Sequence, residues 1–561
     1  MPALLLGPIL RYVGKTEATV WVEADRACEV KILGHREPTF EVEGHHYALV
    51  HMTGLEPARS YSYEVQLDGI QVWPQPDSRF PASVIRTFDA GEPLRIAFGS
   101  CRVAMPHEPP YTLTHAEDEQ HGFEIDALRA LTLRMGTQPA EQWPHALIMI
   151  GDQMYADEVS PTVAEFIRAR RDTEQPPGEE IGDFEEYTRL YRDSWGQPEI
   201  RWLLSTLPSA MIFDDHDVND DWNISASWVH EMRATKWWDK RIVGAFMSYW
   251  IYQHLGNLSP DELHQDPLFQ QVQRSGHGAD MGPRLREFAF NADRHPDSYH
   301  WSFHRDFGAV RLLIVDSRAG RILGAGRRDM LDESEWQWIE QHVRGDYDHL
   351  LLGTSLPILL GHALHYLEAW NEAVCAGAWG GWMARRGENI RRKLDLEHWS
   401  AFEASFRRIV RLIRSVATGE CGRAPSTLTV LSGDVHHVYL AEATFPGTPI
   451  KSAVYQAVCS PFRNPLDADD RRVMRASWYR SVATLAKTVA RLAGIKPPEV
   501  HWRLCHDKPW FDNQVAILEM EGRKASIRFE KSLPGDNAHP RLEPVFEYRL
   551  DRNPAPGRSG R

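Results

Sequence analysis

The stretch HALIMIGDQMY, residues 145–155, decides the fold class of this chain. A mainly apolar run with the length of a buried strand ends abruptly in Gly151, Asp152 and Tyr155. Functional residues of α/β proteins follow the carboxyl ends of parallel strands in this way. The stretch therefore predicts a buried strand with a functional site directly after it.

The same transition recurs at three other places in the chain. Apolar runs also end in GSCR (99–102), in DDHDVNDDW (214–222) and in SGDVHH (432–437). Amphipathic stretches with helical spacing, such as EIDALRALTLR, lie between these runs. Strands that alternate with helices predict a layered α/β architecture in which the four loops meet at one edge.

The beginning of the chain has a different pattern. Short runs rich in β-branched and aromatic residues are separated by Gly, Pro and charged turns, which is typical of a small β-sandwich. Residues 54–69 resemble the late part of a fibronectin type III domain, although any small sandwich fits almost as well. We therefore predict a β-sandwich domain over residues 1–90, a second domain over 91–548 and a disordered tail over 549–561.

Composition and charge limit the partners. The chain has 561 residues and a formal net charge of −15, so its overall field attracts neither nucleic acid nor an anionic membrane, and we expect neither as a stable partner. The first residues, MPALLLGPILRYVG, lack the basic region of a signal peptide. This predicts a cytoplasmic protein, or a secreted one if its N-terminus was trimmed. The sequence leaves the oligomeric state open.

The four loops contain the residue types that bind metal ions. Asp152 and Tyr155 are three residues apart after a strand, so one turn can direct both at one ion. Asp434 and His436 are two apart and share one side if the chain stays extended. Cys101 can supply a thiolate if a metal lowers its pKa. So many acids near one another are costly to bury, and bound cations are the simplest compensation. Four separate solvated loops are the alternative.

The set of motifs resembles one known family. GSC, GD-x-x-Y, DDHD and SGD-x-H, in this order, resemble the PhoD-type alkaline phosphatases of the calcineurin-like metallophosphoesterases, and LLIVDSRAGR (312–321) resembles the family's D-x-R strand. The resemblance implies a layered αββα metallophosphoesterase domain preceded by a fibronectin III-like sandwich. It also implies hydrolysis of phosphate mono- or diesters at two metal ions, with metal-bound hydroxide as the nucleophile. The substrate would be a small phosphate ester.

Two metal sites follow from the resemblance. It implies an Fe³⁺ site formed by Cys101, Asp152, Tyr155 and His436. Asp152 would bridge to a second, carboxylate-rich site completed by Asp434 and a residue of the 214–222 loop. Such a site suits Ca²⁺, Mg²⁺ or Mn²⁺. The family has asparagine two residues before the tryptophan that closes this loop, where this chain has Asp220. Either Asp220 replaces that ligand or the loop shifts to use Asn219.

Two further residues are predicted to act on the substrate. His216 lies among acids, which favour its protonated form, so it can contact phosphate or protonate the leaving group. The alternative is that His216 only braces its loop. Arg318 can hold the substrate, although a salt bridge to Asp316 or to a neighbour is the stronger expectation.

Two other functions compete with the phosphoesterase hypothesis. One is a catalytically inactive metal-binding module whose β-sandwich docks a partner, which a nearly complete ligand set argues against. The other is a serine hydrolase. GTSLP (353–357) lacks the final glycine of a nucleophile elbow, which argues against it.

Overall fold

The computed structural model describes residues 1–88, 91, 93–275, 279–324, 326–535 and 539–551. Most of the predicted tail, residues 552–561, lies outside the described residues. The last strand of the chain ends at Arg549, so the start of the predicted tail is the end of that strand.

Short strands fill the N-terminal part. They are β1 (Leu4–Val13), β2 (Glu17–Ala24), β3 (Glu29–Ile32), β4 (His35–Pro38), β5 (Phe40–Val42), β6 (His45–Thr53), β7 (Ser60–Ser62), β8 (Val65–Leu67), β9 (Ile70–Trp73) and β10 (Val84–Arg86). Two four-stranded sheets, in the orders β1-β2-β6-β5 and β4-β3-β8-β9, enclose a common apolar core, and β10 pairs with β7. The Tyr61 hydroxyl oxygen accepts a hydrogen bond from the Glu56 N–H at 2.7 Å, five residues upstream.

The rest of the chain forms two larger sheets. Their strands are β11 (Leu94–Gly99), β12 (Ala146–Ile150), β13 (Ser209–Ile212), β14 (Phe303–Phe307), β15 (Val310–Val315), β16 (His349–Thr354), β17 (Thr427–Ser432), β18 (Tyr439–Thr444), β19 (Ala453–Val458), β20 (His501–Leu504), β21 (Gln514–Glu521), β22 (Lys524–Leu533) and β23 (Arg541–Arg549). A six-stranded sheet has the order β13-β12-β11-β21-β22-β23, and a seven-stranded sheet has the order β14-β15-β16-β17-β19-β18-β20. Strands β11 to β13 are parallel, as are β15, β16, β17 and β19.

Helices connect and cover these sheets. They are α1 (Ala127–Thr137), α2 (Pro161–Arg170), α3 (Phe184–Trp195), α4 (Pro198–Thr206), α5 (Ala226–Ala234), α6 (Trp238–Ser248), α7 (Pro260–Gln265), α8 (Pro267–Ser275), α9 (Gly282–Arg294), α10 (Glu333–His342), α11 (His362–Cys375), α12 (Gly381–Lys393), α13 (Glu403–Thr418), α14 (Ala468–Ser477) and α15 (Arg480–Leu492). A π-helical turn, Tyr249–His254, continues α6. Short 3₁₀ turns lie at Ala140–Gln142, Pro296–Ser298 and Trp399–Ala401.

The two large sheets pack face to face between layers of helices. Ile96 and Ile517 of the six-stranded sheet share one buried core with Leu312 and Leu431 of the seven-stranded sheet. Helices α10 and α13 pack on the other side of the seven-stranded sheet, and α1 packs against β21 to β23. The predicted layered α/β fold with a small leading β-sandwich is therefore confirmed.

One apolar core crosses the predicted boundary at residue 90. Leu6, Trp21 and Tyr47 of the N-terminal strands belong to the same buried cluster as Tyr252 of the π-helical turn. Arg11 is fully buried, and its Nη2 donates to the carbonyl oxygen of Gln253 at 2.6 Å. The boundary stays a prediction, and the contacts across it are those of a continuous interior.

The four strands predicted to lead into the functional loops are β11, β12, β13 and β17. Every residue of β12, β13 and β17 is buried, which suits strands in the middle of a layered fold. Their carboxyl ends lie at one edge of the paired sheets, three from one sheet and one from the other. Among the described residues, no helix is both long and apolar enough to cross a lipid bilayer.

Candidate metal centre

Three of the predicted ligands meet at this edge. One donor atom each from Cys101, Asp152 and His436 lies within 4.8 Å of the other two. The Cys101 Sγ is 3.2 Å from Asp152 Oδ2, and both side chains are almost fully buried. Residues 51 and 335 positions apart in sequence thus form one compact group of sulfur, carboxylate and imidazole donors.

The backbone at the strand ends is left-handed. The φ angles are +57° at Cys101, +53° at Asp152, +66° at Asp434 and +46° at His436. Non-glycine residues rarely adopt this region, and each such residue costs about 1–3 kcal/mol. Four of the predicted ligands are therefore strained, which indicates that the fold holds these side chains against local preference.

Glycines bring the strand ends close together. A Cβ built on Gly433 would lie 2.1 Å from the Ser100 Oγ, and one on Gly99 would lie 2.5 Å from the Phe462 ring. The GS motif after β11 and the SGD motif after β17 therefore touch, although they belong to different sheets. Only glycine permits this approach.

Tyr155 lies beside the same group. Its hydroxyl is 3.4 Å from His436 Nε2, and its side chain is 2% exposed. Its ring stacks on that of His216, with centroids 4.5 Å apart. The phenol oxygen is therefore placed to join the donors of Cys101, Asp152 and His436.

A second group of carboxylates adjoins the first. Donor atoms of Asp214, Asp215 and Asp434 lie within 4.8 Å of one another, and so do those of Asp152, Asp215 and His216. Among the described residues, Asp152 Oδ1 and Asp214 Oδ2 are buried without any hydrogen-bond partner. Buried, unpaired carboxylate oxygens are expensive, and bound cations would satisfy them. The residues present therefore fit two metal ions with Asp152 between them.

The pKa values describe this centre without cations. Burial raises the pKa of Asp152 well above its usual range, and the neighbouring Asp215 raises it further. Burial and Asp152 likewise raise the pKa of the Cys101 thiol. Asp434 differs: burial raises its pKa, but the hydrogen bond and charge of His398, together with the charge of Arg318, outweigh burial and lower the pKa to about 2. A bound cation would reverse the preference of Cys101 and Asp152 for their protonated forms.

The loop residues that join the carboxylate group are Asp214 and Asp215. Asp220 belongs to none of the metal-binding groups of the described residues, and its side chain is 68% exposed. The Asn219 side-chain amide donates to the Asp220 carbonyl oxygen at 2.8 Å. Asp217 fixes the loop, since its carboxylate accepts from the Met154 and Asp214 N–H groups. The donor groups of the described residues therefore include Asp215 rather than Asp220 or Asn219, and the loop ligand stays a prediction.

His216 is held by an acid that the sequence did not single out. Its Nδ1 lies 2.9 Å from both carboxylate oxygens of Asp157. Burial opposes the charge on the ring, but Asp157 and Asp215 outweigh burial and raise the pKa of His216 well above its usual value. Asp157 thus holds the ring through Nδ1, and the ring also belongs to the group of donor atoms with Asp152 and Asp215.

Arg318 lies inside the acidic cluster. Its guanidinium donates to Asp214 and Glu397, and Nη2 is 3.1 Å from Asp215 Oδ1. Asp316 binds the Arg318 backbone N–H at 2.8 Å. The side chain is 0% exposed and surrounded by carboxylates. This geometry favours the predicted salt bridge, with other partners than Asp316, over the predicted contact with substrate.

A second buried histidine supports Asp434. His398 Nε2 is 2.9 Å from Asp434 Oδ2, and His398 Nδ1 is 2.6 Å from Glu368 Oε1. Both His398 and Glu368 are buried. The sequence reasoning missed this pair because neither residue follows an apolar strand, which was the signal used for the other ligands.

This combination defines a class of protein: a layered α/β fold with buried potential metal-binding groups at its strand ends. Residues 133–281 match the family described as PhoD-like phosphatase. The matched segment includes Asp152, Tyr155 and the 214–222 loop. The chain therefore carries a PhoD-like phosphatase domain over residues 133–281, which confirms the resemblance of its motifs. Residues 1–85 match a domain of unknown function (DUF7800).

A solved structure shares this architecture. The structure titled "Structure of PhoD" aligns with a TM-score of 0.58 over 98% of this chain and 90% of its own, at 13% identity. At this identity the likeness shows the fold alone. No curated protein matches the sequence.

Proposed function

We propose that this protein hydrolyses phosphate mono- or diesters at a centre of two metal ions. The observation that carries the proposal is the position of Asp152, which belongs both to the group with Cys101 and His436 and to the group with Asp215 and His216. A carboxylate shared by two donor groups is what a bridging ligand requires. Two-metal centres of phosphatases hold their ions about 3.5–4 Å apart.

The donor chemistry supports two different ions. Cys101, Tyr155 and His436 offer sulfur, phenol and imidazole, which suit a transition metal, and we assign Fe³⁺ there. Asp215 and Asp434 would complete a second site with oxygen donors, which suits Ca²⁺, Mg²⁺ or Mn²⁺. When bound, the ions would act as Lewis acids on the phosphate and lower the pKa of water, so that hydroxide serves as the nucleophile.

The remaining residues orient the substrate and hold a proton. Asp157 occupies Nδ1 of His216, which leaves Nε2 to contact a phosphate oxygen or to protonate the leaving alkoxide. Arg318 offsets part of the negative charge of Asp214 and Asp215. Most side chains of the centre are buried, and the low-polarity surroundings strengthen these electrostatic contacts.

The test joins metal analysis to hydrolysis of chromogenic phosphate mono- and diesters. It compares the parent with Cys101→Ala, Asp152→Asn and His436→Ala. Cys459→Ala is a matched control, because Cys459 is a fully buried thiol outside the donor groups. We expect iron and a visible charge-transfer band in the parent and the control, and loss of iron and activity in the three variants.

Two results would contradict the proposal. Full turnover by metal-free Asp152→Asn would exclude the two-metal mechanism. An inert parent whose metal is lost on Asp152→Asn would instead identify an inactive metal-binding module.

A further inference from the structure

Exposed apolar side chains concentrate in one region of the described chain. Eleven large hydrophobic residues are exposed, and eight of them lie within residues 379–394 and 473–492. Six of the eight form what we call the apolar–basic surface, with their exposed fractions: Trp379 37%, Trp382 58%, Tyr479 60%, Val482 39%, Leu485 67% and Leu492 73%. Single exposed apolar residues are ordinary, but a cluster marks a binding surface.

Helix α15 differs from an ordinary surface helix, because its large apolar residues are exposed and a small one is buried. Its one buried residue is Ala490, and Lys487 lies over the Tyr366 ring of α11. Val482, Leu485 and Leu492, at spacings of three and seven, share another side of the helix and face solvent. A surface helix normally packs its leucines against the core. Here small residues face the protein, and the leucines are left for another partner.

The exposed residues of α12 and α15 are contiguous. The Trp379 indole N–H, just before α12, donates to the Leu492 carbonyl oxygen at the end of α15, at 3.3 Å. Trp382 follows in the first turn of α12, and the Arg386 guanidinium lies 4.2 Å above its ring. Helix α11 packs against both α12 and α15 and holds them side by side.

The charge of this surface opposes that of the whole chain. Residues 471–496 contain seven Lys and Arg residues and no Asp or Glu, whereas the chain has a net charge of −15. Four of these cations lie in or after α15: Arg480, Lys487, Arg491 and Lys496. None of the four has a carboxylate partner among the described residues. A cavity of about 440 Å³ beside α15 is lined by Arg480, Lys487 and His362. Unpaired cations thus flank the exposed apolar side chains.

We propose that the apolar–basic surface docks the protein on an anionic lipid bilayer. Trp382, Leu485 and Leu492 would enter the boundary between headgroups and acyl chains, and the cations would contact lipid phosphates. Apolar and aromatic residues beside Lys and Arg are the features of helices that lie on such surfaces. A second copy of the chain fits poorly, because a symmetric contact would set the same cations against one another.

This inference departs from the expectation that net charge excludes membranes. Net charge sums over the entire surface, whereas attraction to a bilayer falls off within a Debye length of about 8–10 Å. The remaining acidic surface would orient the protein with α12 and α15 toward the lipid. The proposal does not depend on the metal centre.

Vesicle flotation tests the proposal with the full-length protein. Vesicles of phosphatidylcholine alone are compared with vesicles that also contain phosphatidylglycerol. An apolar variant carries Trp382→Ser, Leu485→Ser and Leu492→Ser, and a charge variant carries Arg480→Ser, Arg491→Ser and Lys496→Ser. Phe290→Ser is the control, since Phe290 is 41% exposed on α9, outside the surface. Unchanged thermal unfolding checks that each variant is folded.

We expect the parent and Phe290→Ser to float with the anionic vesicles and to be released by high salt. The charge variant should bind on the order of a hundredfold more weakly, and the apolar variant should bind more weakly than the control. Absence of binding by the parent, or binding by both variants as tight as that of the parent, would overturn the proposal. A dimer in solution that the apolar variant dissociates would assign the surface to self-association instead.

Discussion

At the scale of single residues, the centre combines backbone strain with buried charge. Cys101, Asp152, Asp434 and His436 all have positive φ, and Asp152 and Asp214 have oxygens with no partner among the described residues. Neither feature stabilises the protein by itself. Both are expected where a fold is organised around ions that it binds.

Asp215 and Asp220 can be distinguished by substitution. Asp215→Asn should lower the content of the second metal. It should also reduce kcat/KM by more than the 10–100-fold loss that is typical when a hydrogen-bond partner of a ligand, rather than the ligand itself, is replaced. Asp220→Asn should leave both nearly unchanged, because its side chain is 68% exposed and outside the donor groups. Metal analysis and ester hydrolysis measure the effects. A larger effect of Asp220→Asn than of Asp215→Asn would support Asp220 as the ligand, as the sequence first predicted.

His398 should act through Asp434. Replacing it in His398→Gln removes the contact at 2.9 Å to Asp434 Oδ2 and that at 2.6 Å to Glu368. We expect the affinity for the second metal to fall roughly 10–100-fold, with little change in iron content. Titration of the second metal into the iron-loaded protein measures this. Equal loss of both metals would point to a general defect of folding.

At the scale of strands and loops, the sequence predicted which segments meet but not how each loop turns. In the sequence, β11, β12, β13 and β17 were each recognisable as an apolar run followed directly by reactive residues. The sequence did not predict that Asp215 would lie in a donor group, because Asp217 sets the path of the loop by accepting a hydrogen bond from the N–H of Met154, 63 residues away. The contact of His398 with Asp434 is equally hidden, since it joins a 3₁₀ turn to a strand end.

Gly433 tests the close approach of the two sheets. Gly433→Ala would place a methyl group 2.1 Å from the Ser100 Oγ, so the strand ends must separate. We expect a loss of about 1–3 kcal/mol in unfolding free energy and weaker metal binding. Gly381→Ala is the control, because nothing lies within 4 Å of its added Cβ. Denaturant unfolding compares them, and equal stability would show that β11 and β17 can separate freely.

At the scale of the whole molecule, the N-terminal strands are bound to the phosphatase domain by partly buried ion pairs. His45 Nε2 is 2.7 Å from Glu185 of α3, and Arg192 Nη2 is 2.6 Å from Glu23 of β2. The sequence predicted the sandwich and the larger domain but not this junction. Its partners are distant in sequence, and none of them belongs to a recognisable motif.

This junction makes stability depend on pH. Burial opposes charge on His45, but Glu185 and Glu23 outweigh it and raise its pKa from 6.5 to about 9. The folded protein therefore binds a proton that the unfolded chain releases between these values. The stabilisation, on the order of a few kcal/mol, is fully present below pH 6.5 and lost as the pH rises through about 9.

Urea unfolding of the parent and of His45→Gln across this range measures the effect. The difference in stability between them should shrink as the pH rises, because the variant lacks the titrating group. A constant difference would contradict the assignment to His45. Arg192 Nη2, 2.9 Å from His45 Nδ1, is present in both proteins and does not titrate in this range.

The position of β21 has a consequence for how the protein matures. Strand β11, which ends just before Cys101, pairs with β12 on one side and on the other with β21, whose residues begin at Gln514. A nascent chain that has already released His436, the last of the proposed ligands, still lacks this neighbour on the ribosome. If the centre binds metal as proposed, we expect the metal to load after translation is complete, and chains that terminate before β21 to emerge without it.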